Sequence, residues 1–110
     1  MTTTVIVTLS VEGFHNYPGA KDVQGAEYLA DRHRHIFHVK AELPVNHDDR
    51  DVEFIIFKRR VEKYMTAKWG MPCEFGSLSC EAIAKTLMVE FMLSSCEIWE
   101  DAENGSRVVR

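Results

Sequence analysis

His33-Arg34-His35-Ile36-Phe37-His38-Val39-Lys40-Ala41-Glu42-Leu43-Pro44 is the stretch on which the fold turns. Phe37, Val39, Ala41 and Leu43 alternate with His38, Lys40 and Glu42, and side chains two apart in a strand share a face. The alternation predicts a half-buried strand from His33 that ends at Pro44, which cannot donate to a ladder. The apolar face also carries His33 and His35, about 7 Å apart along the backbone. An unpartnered imidazole at the edge of an apolar core is costly, so two such rings are placed to share one ion.

Toward the N-terminus, Val5, Val7, Leu9 and Val11 alternate with Thr4, Thr8 and Ser10, which predicts a first strand from Thr3 to Val11. His15 follows just past its end, in line with Val11, and antiparallel pairing of the two strands brings it to the end that carries His33 and His35. Asn16, Pro18 and Gly19 open a long loop to about Asp31, with a helical turn around Ala26 to Ala30. Loops of this length in small domains tend to be functional.

Beyond Pro44, the polar turn Asn46 to Arg50 precedes Phe54, Phe57, Val61, Tyr64 and Met65 at helical spacing. Gly70, Pro72 and Gly76 punctuate the next connection, and Ser79 stands as an N-cap before Ile83, Ala84, Leu87, Met88 and Phe91 on one helical face. Cys96, Ile98 and Glu100 then alternate with Glu97 and Trp99, and Asn104-Gly105 signals a tight turn into Arg107, Val108 and Val109. The order is ββααββ, one α+β domain over residues 1–110 with an antiparallel sheet covered on one face by two helices.

Composition narrows the partners. The net charge is −4 and the 13 Lys and Arg residues are scattered, with Lys58-Arg59-Arg60 reading as a solvated helix face, so no nucleic-acid partner is expected. No apolar run approaches the roughly 20 residues of a membrane span, and Met1 to Ser10 lacks the pattern of a secretory leader, so the expectation is a cytoplasmic protein without a membrane partner. Cys73, Cys80 and Cys96 are odd in number and without close spacing, which reads as reduced thiols. A chain this short gains from burying apolar surface against copies of itself.

Three neutral imidazoles from His15, His33 and His35 fill three positions of a tetrahedral zinc ion and leave the fourth for water or a substrate oxygen, the catalytic rather than the structural pattern. His38 faces away from this set and His47 lies in a polar turn, so both read as surface residues.

Val11-Glu12-Gly13-Phe14-His15, His33-Arg34-His35-Ile36-Phe37, Glu53-Phe54, Ser79-Cys80-Glu81 and Trp99-Glu100-Asp101 together, in this order, resemble the landmarks of the 6-pyruvoyl-tetrahydropterin synthase family, which includes the 6-carboxytetrahydropterin synthase of queuosine biosynthesis. The resemblance implies that His15, His33 and His35 hold zinc, with Arg34 replacing the family's glycine. It implies that Ser79 and Glu81 match the family's Thr-x-Glu before the second helix, and that Glu100 anchors the pterin. A carboxylate suits that role because it can accept two parallel hydrogen bonds from the ring's amino and N–H groups.

The implied fold is the tunnelling fold, in which subunits join their sheets into a barrel, as a homo-oligomer and commonly a hexamer built as a dimer of trimers. The implied activity is a zinc-dependent lyase or synthase acting on 7,8-dihydroneopterin triphosphate or a related pterin. The position of the family's cysteine holds Leu29, and Thr66 to Gly76 carries neither member of the family's Asp-His pair, which leaves Glu27, Asp31 and His47 as candidate bases. The same departures open an alternative, a catalytically silent tunnelling-fold protein that binds zinc and a pterin or purine. A third reading is a metal-dependent enzyme with another reaction on a different heterocycle.

Overall fold

The computed structural model describes residues 1–110 and builds its centre from the two alternating stretches. β1 (Thr3–His15) and β2 (His33–Val45) pair antiparallel over their whole length, from Thr3 opposite Val45 to His15 opposite His33. Between them the chain makes two short 3-10 turns, Pro18–Asp22 and Glu27–Ala30, the second matching the expected helical turn. β1 runs four residues further than its apolar alternation suggests, so His15 is its last residue rather than a residue beyond its end.

α1 (Phe54–Trp69) begins where the Glu53 carboxylate accepts hydrogen bonds from the N–H groups of Ile55 and Ile56, and it buries Phe57, Val61 and Met65. β3 (Cys73–Gly76) follows and lies parallel to β1. α2 (Cys80–Phe91) is capped by Ser79, whose Oγ accepts from Ala82 N at 3.2 Å, and buries Ile83, Ala84, Leu87 and Met88. β4 (Ser95–Glu100) and β5 (Asn104–Val109) form the closing hairpin. The result is an α+β fold with a five-stranded mixed sheet, ordered β3-β1-β2-β4-β5, and two helices.

Two expectations are corrected. The sheet is mixed rather than wholly antiparallel, because Cys73 and Phe75 turn their side chains into the core and their backbone continues the edge beside β1. The final turn lies at Asp101–Glu103, not at Asn104-Gly105: Asp101 and Ala102 adopt φ of 51° and 59°, and Glu103 N bonds Glu100 O at 3.0 Å. Two successive positive φ values make the primed turn that matches strand twist. Gly105 is instead a strand residue opposite Trp99, and a Cβ there would stand 2.4 Å from the Ile98 carbonyl oxygen and 2.8 Å from the Trp99 ring.

One continuous core, including Val7, Leu9, Phe37, Val39, Phe57, Val61, Ile83, Leu87 and Ile98, lies between the helices and one sheet face. The three cysteines are free and buried. No helix is long and apolar enough to cross a membrane.

Candidate metal centre

Strand pairing brings the three histidines together. His15 and His33 end the β1–β2 ladder as direct partners, and His35 lies two residues along the same inward face. Ring centroids are 4.6 Å apart for His15 and His33, 4.9 Å for His33 and His35, and 5.3 Å for His15 and His35. Phe37 packs edge-on beneath His15 and His35, at 5.1 and 5.7 Å, and forms the apolar floor of the cluster. Gly13 makes room for this floor, since a Cβ there would come within 2.6 Å of the Phe75 ring and 3.0 Å of the Phe37 ring.

The hydrogen bonds decide which nitrogen each ring presents. His15 Nδ1 faces Leu78 O at 3.2 Å, His33 Nδ1 faces Asp31 O at 2.8 Å, and His35 Nδ1 faces Asp101 Oδ2 at 2.6 Å. Carbonyl and carboxylate oxygens only accept, so each Nδ1 carries the proton and donates, and in the neutral ring each Nε2 is left as a lone pair. Such outer partners fix the tautomer and aim the ring in histidine metal sites. One potential ligand atom from each histidine lies within 4.8 Å of those of the other two.

Buried His35 Nε2 has no hydrogen bond. Glu100 Oε2 stands 3.4 Å from it without hydrogen-bonding geometry, and Glu100 Oε1 stands 3.0 Å from His15 Nε2. Burial, with the neighbouring rings acting in the same sense, holds the His15 pKa below its ordinary value of 6.5, against the upward pull of Leu78 O and Glu100. An unpaired buried nitrogen and a ring biased toward neutrality fit a cation-binding set.

Asp101 acts through its position in the turn. Its backbone sits in the left-handed region that Asp tolerates, its Oδ1 accepts from Ile36 N at 2.8 Å, and its own N–H reaches Ile36 O at 2.8 Å. The hydrogen bond from His35, then that from Ile36, holds its carboxyl below the usual carboxylate range.

A cavity of about 550 Å³ opens over His15 and His33 and reaches the start of α2, where Ser79, Cys80 and Glu81 face Glu100, Asn104 and Ser106. Glu81 accepts a 2.7 Å hydrogen bond from the Ser106 hydroxyl, the main reason its carboxyl is held low. Cys80 places its Sγ 3.5 Å from Glu100 Oε1, and burial, reinforced by Glu100, pushes its thiol up to about 12.

The structure thus gathers His15, His33, Glu100, Ser79 and Glu81 around one cavity, with His35 beside Glu100. It does not bring the candidate bases there. Both Glu27 carboxylate oxygens accept from Gly25 N on the exposed loop, and Asp31 meets the cluster through its backbone carbonyl rather than its carboxylate. His47 lies beside Asp51 beyond the far end of β2. Since β2 has 13 residues rising about 3.3 Å each, His47 is about 40 Å from the cluster within one chain. Leu29 lines the cavity.

Two participants escaped the sequence reading. Asp101 acquires its role from the β2–β4 register, which sets Phe37 opposite Glu100 and so puts residue 101 beside His35 and Ile36. Cys80 is remote in sequence from every histidine and reaches the site only because α2 begins over the end of β4. No protein-family model matches the chain, and no curated protein matches it significantly.

Proposed function

We propose that the protein is a zinc-dependent enzyme of pterin metabolism, with the tunnelling fold and the lyase or synthase chemistry its sequence resembles. The observation that carries the metal part is the donor set: three Nδ1 atoms committed to acceptors, one potential ligand atom from each ring within 4.8 Å of the other two, and His35 Nε2 buried without a partner. Imidazole suits zinc among the abundant divalent ions. When bound there, zinc would supply Lewis-acid polarisation of a carbonyl or hydroxyl on the substrate side chain.

The chain's own residues would do the rest. The cavity lies in the size range of small-molecule sites, about 300–1,000 Å³, and its far wall offers Ser79, Glu81, Asn104 and Ser106 to a polar heterocycle. Glu81 and Glu100 are the carboxylates available to accept the ring's N–H groups, and the buried Cys80 thiol holds a proton next to Glu100. Leu78 O, Asp31 O and Asp101 hold the histidine rings in orientation.

Association into a homo-oligomer, a hexamer by analogy with the family, has support in the surface. β3 and β5 are open sheet edges, and Ile6, Trp99 and Val109 are exposed on the face that no helix covers. The placement of the candidate bases favours a second reading, a zinc- and pterin-binding protein without turnover, because no side chain of Glu27, Asp31 or His47 reaches the cavity.

Incubation of zinc-loaded protein with 7,8-dihydroneopterin triphosphate, followed by chromatography and mass analysis, separates the two. A tetrahydropterin product is the expected result. Pterin binding without product would establish the silent reading, and neither binding nor product would end the pterin assignment.

A further inference from the structure

Glu100 is not placed as a free anchor would be. Its two carboxylate oxygens are divided between two rings, Oε1 at 3.0 Å from His15 Nε2 and Oε2 at 3.4 Å from His35 Nε2. A tetrahedral ion with ligands at about 2.0–2.1 Å sets its ligand atoms about 3.3–3.4 Å from one another. Both separations lie near such an edge, whereas a carboxylate reserved for a heterocycle would face the open cavity with both oxygens.

The chemistry of the pairing points the same way. His15 donates from Nδ1 to Leu78 O, so its neutral ring offers a lone pair at Nε2, and the atom opposite is a carboxylate oxygen, also an acceptor. Two acceptors 3.0 Å apart repel unless a proton or a metal ion lies between them, and only a shared ion also accounts for the second oxygen standing 3.4 Å from His35 Nε2 without a hydrogen bond. Behind Glu100, the Cys80 thiol at 3.5 Å donates toward Oε1 and limits the rotamers the carboxylate can take. Cys80 is itself held at the first position of α2, 7% exposed.

We infer that Glu100 is the fourth protein ligand of a divalent ion held by His15, His33 and His35. The resting centre would then be closed by a carboxylate, and a substrate oxygen that displaces Glu100 from the ion would free it to accept the N–H groups of a bound heterocycle. The inference rests on the metal reading above but not on the pterin.

Cobalt(II), added to metal-free protein, is the probe. The expected result has three parts: wild-type protein gives the intense visible bands of four-coordinate cobalt and azide does not alter them; Glu100→Gln and Glu100→Ala bind cobalt at least about 10-fold more weakly and become azide-responsive; Cys80→Ala keeps the four-coordinate spectrum. Glu100→Gln retains the side-chain shape and, with circular dichroism, guards against a folding defect. Wild-type bands that shift with azide, together with unchanged affinity in Glu100→Gln, overturn the inference and leave the three-histidine centre standing. A sulfur-to-cobalt absorption that disappears in Cys80→Ala overturns it by giving the fourth position to the thiolate. Failure of the wild-type chain to bind cobalt removes the metal reading together with the inference.

Discussion

Replacing Asp101 by Asn tests whether the outer hydrogen bonds decide which nitrogen the histidines present. Asp101 spans two donors, Ile36 N–H at 2.8 Å and His35 Nδ1–H at 2.6 Å. An Asn side chain keeps the shape and tolerates the left-handed backbone at φ 51°, but it has only one accepting atom. If its oxygen serves Ile36, its amino group confronts the proton on His35 Nδ1; if it flips, the clash moves to Ile36. The first arrangement drives the His35 proton to Nε2 and removes that nitrogen as a ligand. Loss of such an outer partner costs about 10- to 100-fold in metal affinity, or about 1.4 to 2.7 kcal/mol. Asp101 is half exposed, so the metal-free protein should lose at most about 1 kcal/mol of stability. Zinc affinity by chelator competition and thermal unfolding of the metal-free protein read the two quantities separately. Unchanged affinity in Asp101→Asn would refute the orientation argument, and parallel losses in both measurements would reduce Asp101 to a structural residue.

Other consequences concern the frame around the site. Gly13→Ala drives a methyl against the buried Phe75 and Phe37 rings; overpacking of this kind costs about 1–3 kcal/mol, and a thermal midpoint within about 1 °C, about 0.2 kcal/mol, of wild type would contradict the packing beneath His15. Ala102→Gly relieves a positive φ of 59°; removing about 1–2 kcal/mol of strain against about 0.4–1 kcal/mol of added unfolded-state entropy leaves a gain of roughly 0.5–1 kcal/mol, measurable by urea unfolding, where a loss would contradict the turn geometry. Glu97, bonded to Trp99 Nε1 at 2.8 Å and Arg107 Nε at 3.0 Å, is held below its ordinary 4.5 chiefly by Trp99. A depressed carboxylate stabilises above its unfolded pKa and stops doing so as pH falls through the folded one. Glu97→Gln should therefore cost roughly 2 kcal/mol at pH 7, with the gap from wild type narrowing as pH drops below 4.5; a gap independent of pH would contradict the assignment.

The parts of the fold that were legible are those with long local patterns. β1 and β2 carry alternation over most of 13 residues each, and a one-residue slip would turn every apolar side chain to the other face, so their pairing and the meeting of His15 with His33 and His35 could be read ahead. Helical spacing and the Ser79 cap served α2 equally well. β3 has only four residues, set between Pro72 and Ser77 in the turn-rich connection, too few for a period to emerge. The closing turn lies elsewhere than Asn104-Gly105 because Gly105 answers to the Trp99 ring across the hairpin rather than to a local turn.

Within the site, the residue types and spacing of the three histidines carried the metal expectation. The contacts of Glu100, Cys80 and Asp101 depend on how β4 registers against β2 and where α2 starts, which no local spacing encodes. The bases proposed from the loop and the polar turn failed to reach the cavity for the same reason: nearness in sequence to a ligand does not fix where a side chain points.

Counting zinc on the purified chain tests the central claim most directly, by elemental analysis after dialysis, in wild type and in His33→Ala. One zinc per wild-type chain, lost from a variant that keeps its circular dichroism, is the predicted result. A wild-type chain without stoichiometric zinc after reconstitution, or a His33→Ala chain that holds as much, would contradict it.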